Sequence, residues 1–530
     1  MNRWAAAAAI AALMPASGLA QAAGDSGHIV RVVEIRRYDI FDPSEATSFF
    51  PRLANGLHFV TREGVVRREL LFRPGQPYDS AKVAETERNL RFLSVFRRVR
   101  IDTLRSDSGL VVRVTTADGW STRPLFNIQS TGSKVSPTIG VEELNVLGTA
   151  TLASFRYKSD PDRWTLTTVF RQPRLLAGRI GLSSLYAHLS DGDIVQAQLS
   201  KPFFSLSGRT SWQVGADVRD HRVLQYFQGR DTADITLKRR LALGYAAAAW
   251  ALRAGPTGYL RIGLGGQVRR EDFADEARID TLGRTVTGTL GPFLHWRRAR
   301  FLVSRGLQGF AREEDIDVST TMGIVLTATP RAFGYEHDGV VPFVSIQTGF
   351  GRPSAFVQLR GTTERRYTAA GLDSGSVHLA GTVYLQPGRR HLAVVHGSVG
   401  WLDHPAPGGE FDLGGTRGGP RGFRQHFFTG DRAFFTSAEY RWTATNDFLK
   451  LTAIGVAGWV DYGGAWYAGS PRRAQASIGA GLRFGPTRAT DVLASRVDVA
   501  CRNREVDRRF RCTLVVGQGY AFSTSGRLDR

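Results

Sequence analysis

Apolar and polar residues alternate along most of this chain with a period of two. From Phe434 one set reads Phe434, Thr436, Ala438, Tyr440, Trp442 and Ala444, and the other reads Phe435, Ser437, Glu439, Arg441 and Thr443. The next stretch sets Thr452, Ile454, Val456, Gly458, Val460 and Tyr462 against Ala453, Gly455, Ala457, Trp459 and Asp461. A strand sends successive side chains to opposite faces, so each set occupies one face. One face could meet lipid, with Tyr440 and Trp442 near an interface, while the other is polar or small, as a lumen requires. A β-sandwich gives the same alternation, so the pattern alone leaves both open. Near the end Phe510, Cys512, Leu514, Val516, Tyr520 and Phe522 alternate, interrupted at Gln518, and predict a last strand over 510–522. From about Leu125 to Phe522, one strand for about every 25 residues gives ~16 antiparallel strands. A hairpin-scale repeat agrees. Phe170-Arg171-Gln172-Pro173 precedes Gly178-Arg179, Leu199-Ser200-Lys201-Pro202 precedes Gly208-Arg209, and the two prolines stand 29 residues apart.

Residues 29–119 have a different rhythm and predict a small α+β domain. Ile29 to Ile35 is a strand candidate, and Thr61 to Leu71 a short helix. Arg73 to Tyr78, with two prolines and a glycine, reads as a loop, and Asp79 is placed to cap the helix that follows. That helix, Ser80 to Ser94, puts Val83, Leu90 and Leu93 on one face and Glu85, Glu87, Arg88 and Arg91 mostly elsewhere. Two strands follow, Arg97–Thr103 and Gly109–Thr115, joined by a turn at Ser106-Asp107-Ser108-Gly109.

The N-terminus adds a destination. Arg3, an apolar run from Trp4 to Leu13 and small residues ending Ala20-Gln21-Ala22 predict a signal peptide over residues 1–22. No later stretch of eighteen apolar residues appears, so helical membrane spans are not expected. An exported chain with 59 glycines and 10% aromatic residues suits a transmembrane barrel, whose strands need only alternate. The formal charge is +21, and lysine occurs only at positions 82, 134, 158, 201, 238 and 450. The arginines form no long block or nucleic-acid module, so nucleic acid is not an expected partner; anionic lipid headgroups fit better, as does simple compositional bias. Cys501 and Cys512 are the only cysteines and lie on either side of Arg502-Asn503-Arg504-Glu505. They could face each other across a hairpin as a disulfide, or remain two thiols. No metal-ligand spacing is present.

The order strand, helix, helix, strand, strand resembles the POTRA domain of the BamA/TamA-type outer-membrane assembly family. The closest stretch runs from Glu69-Leu70-Leu71-Phe72-Arg73-Pro74-Gly75 through Tyr78-Asp79 and Leu90 to Phe96-Arg97-Arg98-Val99-Arg100-Ile101 and Val112. Residues 37–60 fit less well and read as an insertion. Farther on, Leu413-Gly414-Gly415-Thr416-Arg417-Gly418-Gly419-Pro420-Arg421-Gly422-Phe423 resembles the family's sixth-loop motif, in which Arg-Gly-Phe or Arg-Gly-Tyr folds back into the barrel. The tripeptide is made of common residues. Its glycine-rich lead-in, Glu439, and Trp459-Val460-Asp461-Tyr462-Gly463, which is similar to the family's aromatic-x-Asp-x-Gly strand, supply the specificity. The resemblance implies that Arg421 points into the lumen and pairs with Asp461, with Glu439 nearby, that Gly422 allows a tight turn, and that Phe423 is an apolar anchor. Pro420 departs from the family's usual β-branched residue. Gly517, Tyr520 and Phe522 resemble the barrel-terminal β-signal, although Val515 replaces a polar residue and a tail, 523–530, follows. Gly517 and Gly519 weaken pairing at the seam between last and first strands.

The expectation is a mainly β protein, a ~16-stranded transmembrane barrel over 125–522 preceded by one POTRA-like domain over 29–119. It belongs in the cell outer membrane with its N-terminal domain in the periplasm. The resemblance implies a non-enzymatic assembly, insertion or translocation factor without a cofactor. Its partners are unfolded outer-membrane or secreted client proteins, outer-membrane lipids, and periplasmic or lipoprotein accessory proteins. The alternative is a secretion or passive transport pore. The family's two-partner secretion branch generally carries two POTRA domains and a plugging N-terminal helix, and neither is found. Catalysis has no support, since G-x-S-x-G and H-E-x-x-H are both missing and the neighbours His337-Asp338 and Asp403-His404 cannot make a triad by spacing alone.

Overall fold

A computed structural model describes residues 28–522 except 43, 45, 107–108, 132–133, 176–178, 228, 231, 275–285, 311–312, 415–417, 450–451, 488–492, 504–509 and 521. The expected signal peptide (1–22), the tail (523–530), the centre of the turn at 107–108 and the glycine-rich lead-in at 415–417 lie outside the described residues.

The chain begins as a small mixed unit: β1 (Val30–Tyr38), α1 (Phe49–Leu57), α2 (Glu63–Glu69), α3 (Ser80–Phe92), β2 (Phe96–Ser106) and β3 (Gly109–Asp118). The sheet order is β1-β3-β2, with β1 parallel and β2 antiparallel to the central β3. Among the described residues no further strand lies beside either outer strand, although Val30 of β1 bonds the Gly75 and Gln76 backbone and the Ile101 N–H of β2 donates to Glu87. Asp79 caps α3 by accepting from the backbone N–H groups of Ala81 and Lys82 at 2.9 and 3.3 Å. Val83 and Leu90 of α3 and Val65 and Val66 of α2 are buried against Val112 and Val114 of β3. Glu85 is also buried, because it accepts the backbone N–H of Leu206 from a barrel turn at 2.5 Å. The region read as an insertion holds α1. Pro51 in its first turn costs little there, since the first helical N–H groups have no partner inside the helix.

The rest of the chain closes into one antiparallel barrel of twenty strands, from Thr122–Thr131 to Phe510–Gln518. The expected sixteen is therefore an undercount. Many connections are only two residues long, as between Leu189 and Gly192, Gly255 and Gly258, or Arg352 and Ala355, so each strand uses less chain than was allowed. A closed barrel also answers the sandwich alternative. Val456, Val460, Tyr462, Tyr440 and Trp442 are exposed on the outside, while Ala453, Ala457, Trp459 and Asp461 are buried within. Such a continuous apolar outer surface suits lipid. No helix among the described residues is long and apolar enough to cross a membrane.

An even strand count brings both barrel termini to the same end, here called proximal, beside the N-terminal unit. Pro173 and Pro202 both sit at proximal ends of descending strands, at equivalent turns one hairpin apart. The unit is fastened to proximal turns by Arg174–Glu69 at 2.6 Å and by Arg91, whose guanidinium holds Asp315 at 2.6 and 2.9 Å. Asp315 lies on an accessory ribbon, Phe301–Arg305 paired with Glu313–Asp317. Such bidentate pairs resist rotation as well as separation.

Candidate functional site: an inward loop and a short seam

The connection between strands His391–Asp403 and Arg432–Phe448 is the longest in the barrel, and it turns into the lumen. A short ribbon, Phe411–Leu413 with Phe428–Gly430, starts it inward. Phe423 and Phe428 are fully buried and pack with Phe427, Phe411, Leu413 and Leu402. Gly422 adopts a φ of +85°, a left-handed conformation that glycine takes without strain, and a Cβ there would lie 3.0 Å from the Ala500 Cβ. Arg502 donates to the Gly422 carbonyl at 3.0 Å, which ties this turn to the strand Ser495–Asn503.

Arg421 lies at the tip of the descent. Its Nε and Nη2 donate to the two oxygens of Asp461 at 2.7 and 2.9 Å, and its backbone N–H donates to Asp461 at 3.0 Å. Nη1 reaches Glu439 at 2.7 Å, and the guanidinium stacks on the Trp459 ring at 3.7 Å. Burial works against its charge, but the hydrogen bonds and field of Asp461, then the fields of Glu439 and Asp498, hold the guanidinium protonated more firmly than usual. The fold thus brings Arg421, Asp461 and Glu439 together.

Several partners were not singled out from the sequence. Glu439 also accepts from Arg441 at 2.5 Å and lies 3.3 Å from Arg483, and Arg483 donates to Asp498 at 2.6 Å. Ser437 stands 3.4 Å from Arg421. Ser437 and Arg441 belong to the inward-facing set of their strand, and Asp498 shares its face with Ala500, so alternation carried a signal for each. What alternation cannot give is cross-strand register, which decides who meets whom. Trp459 fits because Gly479 faces it, where a Cβ would come within 2.3 Å of the indole.

Nearer the distal mouth His426 is held between two carboxylates, Asp162 at 2.9 Å and Asp412 at 2.8 Å. It stacks on Tyr226 with ring centres 3.5 Å apart, and the Tyr226 hydroxyl and the Gln425 amide also bond Asp162. Burial disfavours the imidazolium, yet Asp162 and Asp412 outweigh it and raise the His426 pKa.

The seam is the weakest joint in the barrel wall. The last strand meets the first through two residue pairs, Val515–Thr131 and Val516–Ser130. On its other side it makes nine pairs with Ser495–Asn503, and the Cys501–Cys512 disulfide joins the same two strands. The proximal part of the first strand, 122–129, therefore lacks a seam partner among the described residues. The chain does not continue as strand to Phe522, as the alternation predicted. It stops at Gln518, and Gly519 turns inward at a φ of +66°. Tyr520 is then buried among Leu307, Val318, Phe356 and Tyr384, and donates to the Leu307 carbonyl at 2.5 Å. Phe522 stacks on His396 at 4.1 Å. Gly517 faces the lumen beside Arg496. The aromatics that resemble a barrel-terminal signal thus face the lumen.

Comparison with known proteins gives no matching family model and no matching curated protein. Among solved structures, the chain is similar to BamA from Haemophilus ducreyi lacking POTRA domains 1–3, at 12% identity and a TM-score of 0.40, covering 92% of this chain and 84% of that one. It is similar to CdiB from Escherichia coli at 11% identity and a TM-score of 0.44, covering 93% and 76%. It is also similar to the FrpB iron transporter from Neisseria meningitidis at 8% identity and a TM-score of 0.40, covering 93% of each chain. Likeness at these values describes a large β-barrel and nothing finer.

Two measurements test the loop's fastening. Arg421→Ala strands Asp461 without its cation, and should cost about 3–5 kcal/mol in urea unfolding of the detergent-solubilised barrel. Arg421→Lys should recover only part of this, because an ammonium cannot span Asp461 and Glu439 as a planar fork does. Equal stability of all three proteins would remove the claimed role. The His426 contribution should depend on pH. Its folded-state pKa is raised, so its stabilisation is complete below the unfolded imidazole value of about 6.5 and is lost as pH rises through the folded value. The heat-induced gel shift of wild type should accordingly exceed that of His426→Gln in temperature at low pH, and the gap should close above that value. A gap that widens with pH would contradict the assignment.

Proposed function

We propose that this chain is an outer-membrane assembly or translocation barrel of the BamA/TamA type, which handles client polypeptides through its seam without a chemical step. The observation that carries this reading is the two-pair joint between last and first strands. A net hydrogen bond is worth about 1 kcal/mol, so parting two residue pairs costs far less than parting nine. The disulfide lies across the neighbouring joint and directs any opening to the seam alone. A client strand could then pair with the free proximal stretch of the first strand, 122–129, satisfying backbone groups that lipid cannot. Burial of the client's own apolar face drives the insertion.

The N-terminal unit, read as a POTRA-type domain in the periplasm, has the complementary role. Beyond Val30, and apart from the Ile101 N–H that Glu87 already holds, its outer strands β1 and β2 have no strand on their outer side among the described residues, the geometry by which a small sheet accepts an extended chain. Its ion pairs to Arg174 and Asp315 hold the unit against the proximal end of the barrel. The bound chains in this reading are unfolded outer-membrane or secreted proteins, with accessory periplasmic proteins or lipoproteins as further partners. A plain pore has less support, because the inward loop and the Tyr520–Phe522 tail occupy lumenal space that a conduit would need open. Some room remains. A cavity of about 1620 Å³, lined by Arg219, Arg239, Arg269 and Glu271 among others, lies on the distal side.

Locking the seam tests the proposal. Ser130→Cys with Val516→Cys, with the native Cys501–Cys512 disulfide kept so that the neighbouring joint stays closed, should form a cross-seam disulfide under oxidation. Client barrel insertion should then fall to background and return on reduction, with the locked protein still in the outer membrane. Full insertion activity from a fully locked population would rule out lateral opening. Large steady conductance in planar bilayers, unchanged by the lock and by Arg421→Ala, would favour the pore.

A further inference from the structure

Helix α1 carries an apolar face that no described residue covers. Phe49, Leu53 and Leu57 follow one another at four-residue spacing and are 79%, 43% and 70% exposed. The opposite side of the helix is firmly held. Ala54 is buried with Ile40 and Phe41, Trp120 packs on that cluster, and the Asn55 side chain exchanges hydrogen bonds with the Phe41 backbone at 3.1 and 2.9 Å. The exposed face is therefore a fixed surface of the folded unit and cannot be put down to fraying.

Its position says what it faces. After α1, His58 contacts Asp118 at 2.9 Å and Ser121 at 3.3 Å, immediately before the first barrel strand. Asn145, in the turn between the second and third barrel strands, donates to the Phe59 carbonyl at 3.2 Å. The backbone N–H of Arg62 donates to Gly148, and its side chain to Leu147. Phe59 and Leu147 are themselves exposed. These contacts pin α1 to the proximal foot of the first three barrel strands, whose outer residues Phe126, Ile139 and Val141 are exposed and apolar. The helix that carries the apolar face is thus tied to the foot of the strands that carry this apolar wall, beside the unpaired stretch 122–129 of the first strand.

We propose that α1 is a membrane-interface helix, with Phe49, Leu53 and Leu57 entering the boundary between headgroups and acyl chains of the phospholipid leaflet at the proximal foot of the barrel. The proposal rests on the reading of this barrel as membrane-spanning. A short helix with one apolar arc lies in the interface plane and cannot span. Arg52, exposed on the rim of the same arc, can lay its methylenes along the apolar surface and keep its guanidinium among phosphates. Ion pairs and hydrogen bonds already fasten the N-terminal unit to the barrel, so lipid contact adds an orientation: the unit is tilted towards the membrane beside the seam. A client segment is the competing occupant. Lipid contact is constant, whereas client contact needs the client.

The test uses the full chain in phospholipid nanodiscs. A nitrobenzoxadiazole probe is placed by Leu53→Cys, by Arg67→Cys on the exposed side of α2, or by Val214→Cys on the outer barrel wall. Doxyl groups high on the acyl chains act as the quencher. The probes at 53 and 214 should both be quenched at least about twofold more than the probe at 67. Phe49→Ser with Leu57→Ser should return the probe at 53 to the level at 67. Quenching at 53 no greater than at 67, with 214 quenched, would overturn the proposal and leave the barrel reading intact. Shielding of the probe at 53 only after an unfolded barrel client is added would also overturn it, in favour of the client. No quenching at 214 would bring down the membrane-spanning reading and this proposal with it.

Discussion

A single desolvated guanidinium fixes the interior of this barrel. The Arg421 side chain is 2% exposed and its partners Asp461 and Glu439 are no more so. Removing such charges from water costs several kcal/mol per ion, and only directed pairing makes the position tolerable. Arg421 has that pairing from four directions: two carboxylates, its own backbone N–H on one of them, and the face of Trp459. The loop that delivers it is anchored separately by Phe423 and Phe428. Charge and apolar packing thus specify one path for a long connection that would otherwise have many. A simple exchange of charge between 421 and 461 would be a poor repair, because an aspartate at 421 would meet Glu439 and Asp498.

The wall around this fixed interior is deliberately uneven. Nine pairs and a disulfide hold the last strand to its predecessor, and two pairs hold it to the first strand. The inward turn at Gly519 takes away the residues that would have zipped the proximal half. Backbone groups left unpaired in lipid are costly, so the open half makes sense only where another strand, water or protein can reach it. The N-terminal unit stands at that end, with two outer strands of its own that have no strand on one side among the described residues.

Much of this was legible in the residues, for physical reasons that also mark the limits. Period two survives wherever one face meets lipid, so the strands near Phe434 and Thr452 declare their inner and outer sets. The count of strands depended on turn lengths, and two-residue turns such as that between Gly255 and Gly258 leave almost no trace. Arg421, Glu439 and Asp461 stood out through a resemblance, whereas Arg483 and Asp498 join them only through register. Helix α1 was hidden because Pro51 and Gly56 interrupt a helical pattern in nine residues. Tyr520 and Phe522 misled for the opposite reason. They keep the strand's alternation after the chain has left the wall.

The loop and the seam share an atom group, and this links the two halves of the design. Glu439 accepts from Arg421 on one oxygen and from Arg441 on the other. Arg441 in turn lies over the Tyr520 ring at 4.0 Å, two residues beyond the end of the last strand. If the loop withdrew, Glu439 would lose the cation that balances one oxygen and would draw more strongly on Arg441 and Arg483. The tail that keeps the last strand out of the proximal seam rests on that same Arg441. A carboxylate shared in this way cannot change one set of partners without altering the field on the other, since the two oxygens carry one charge. Contact alone does not measure a coupling free energy. It does give the buried lock a direct physical route to the two-pair joint, one that a lock on a distant wall of so wide a barrel would lack.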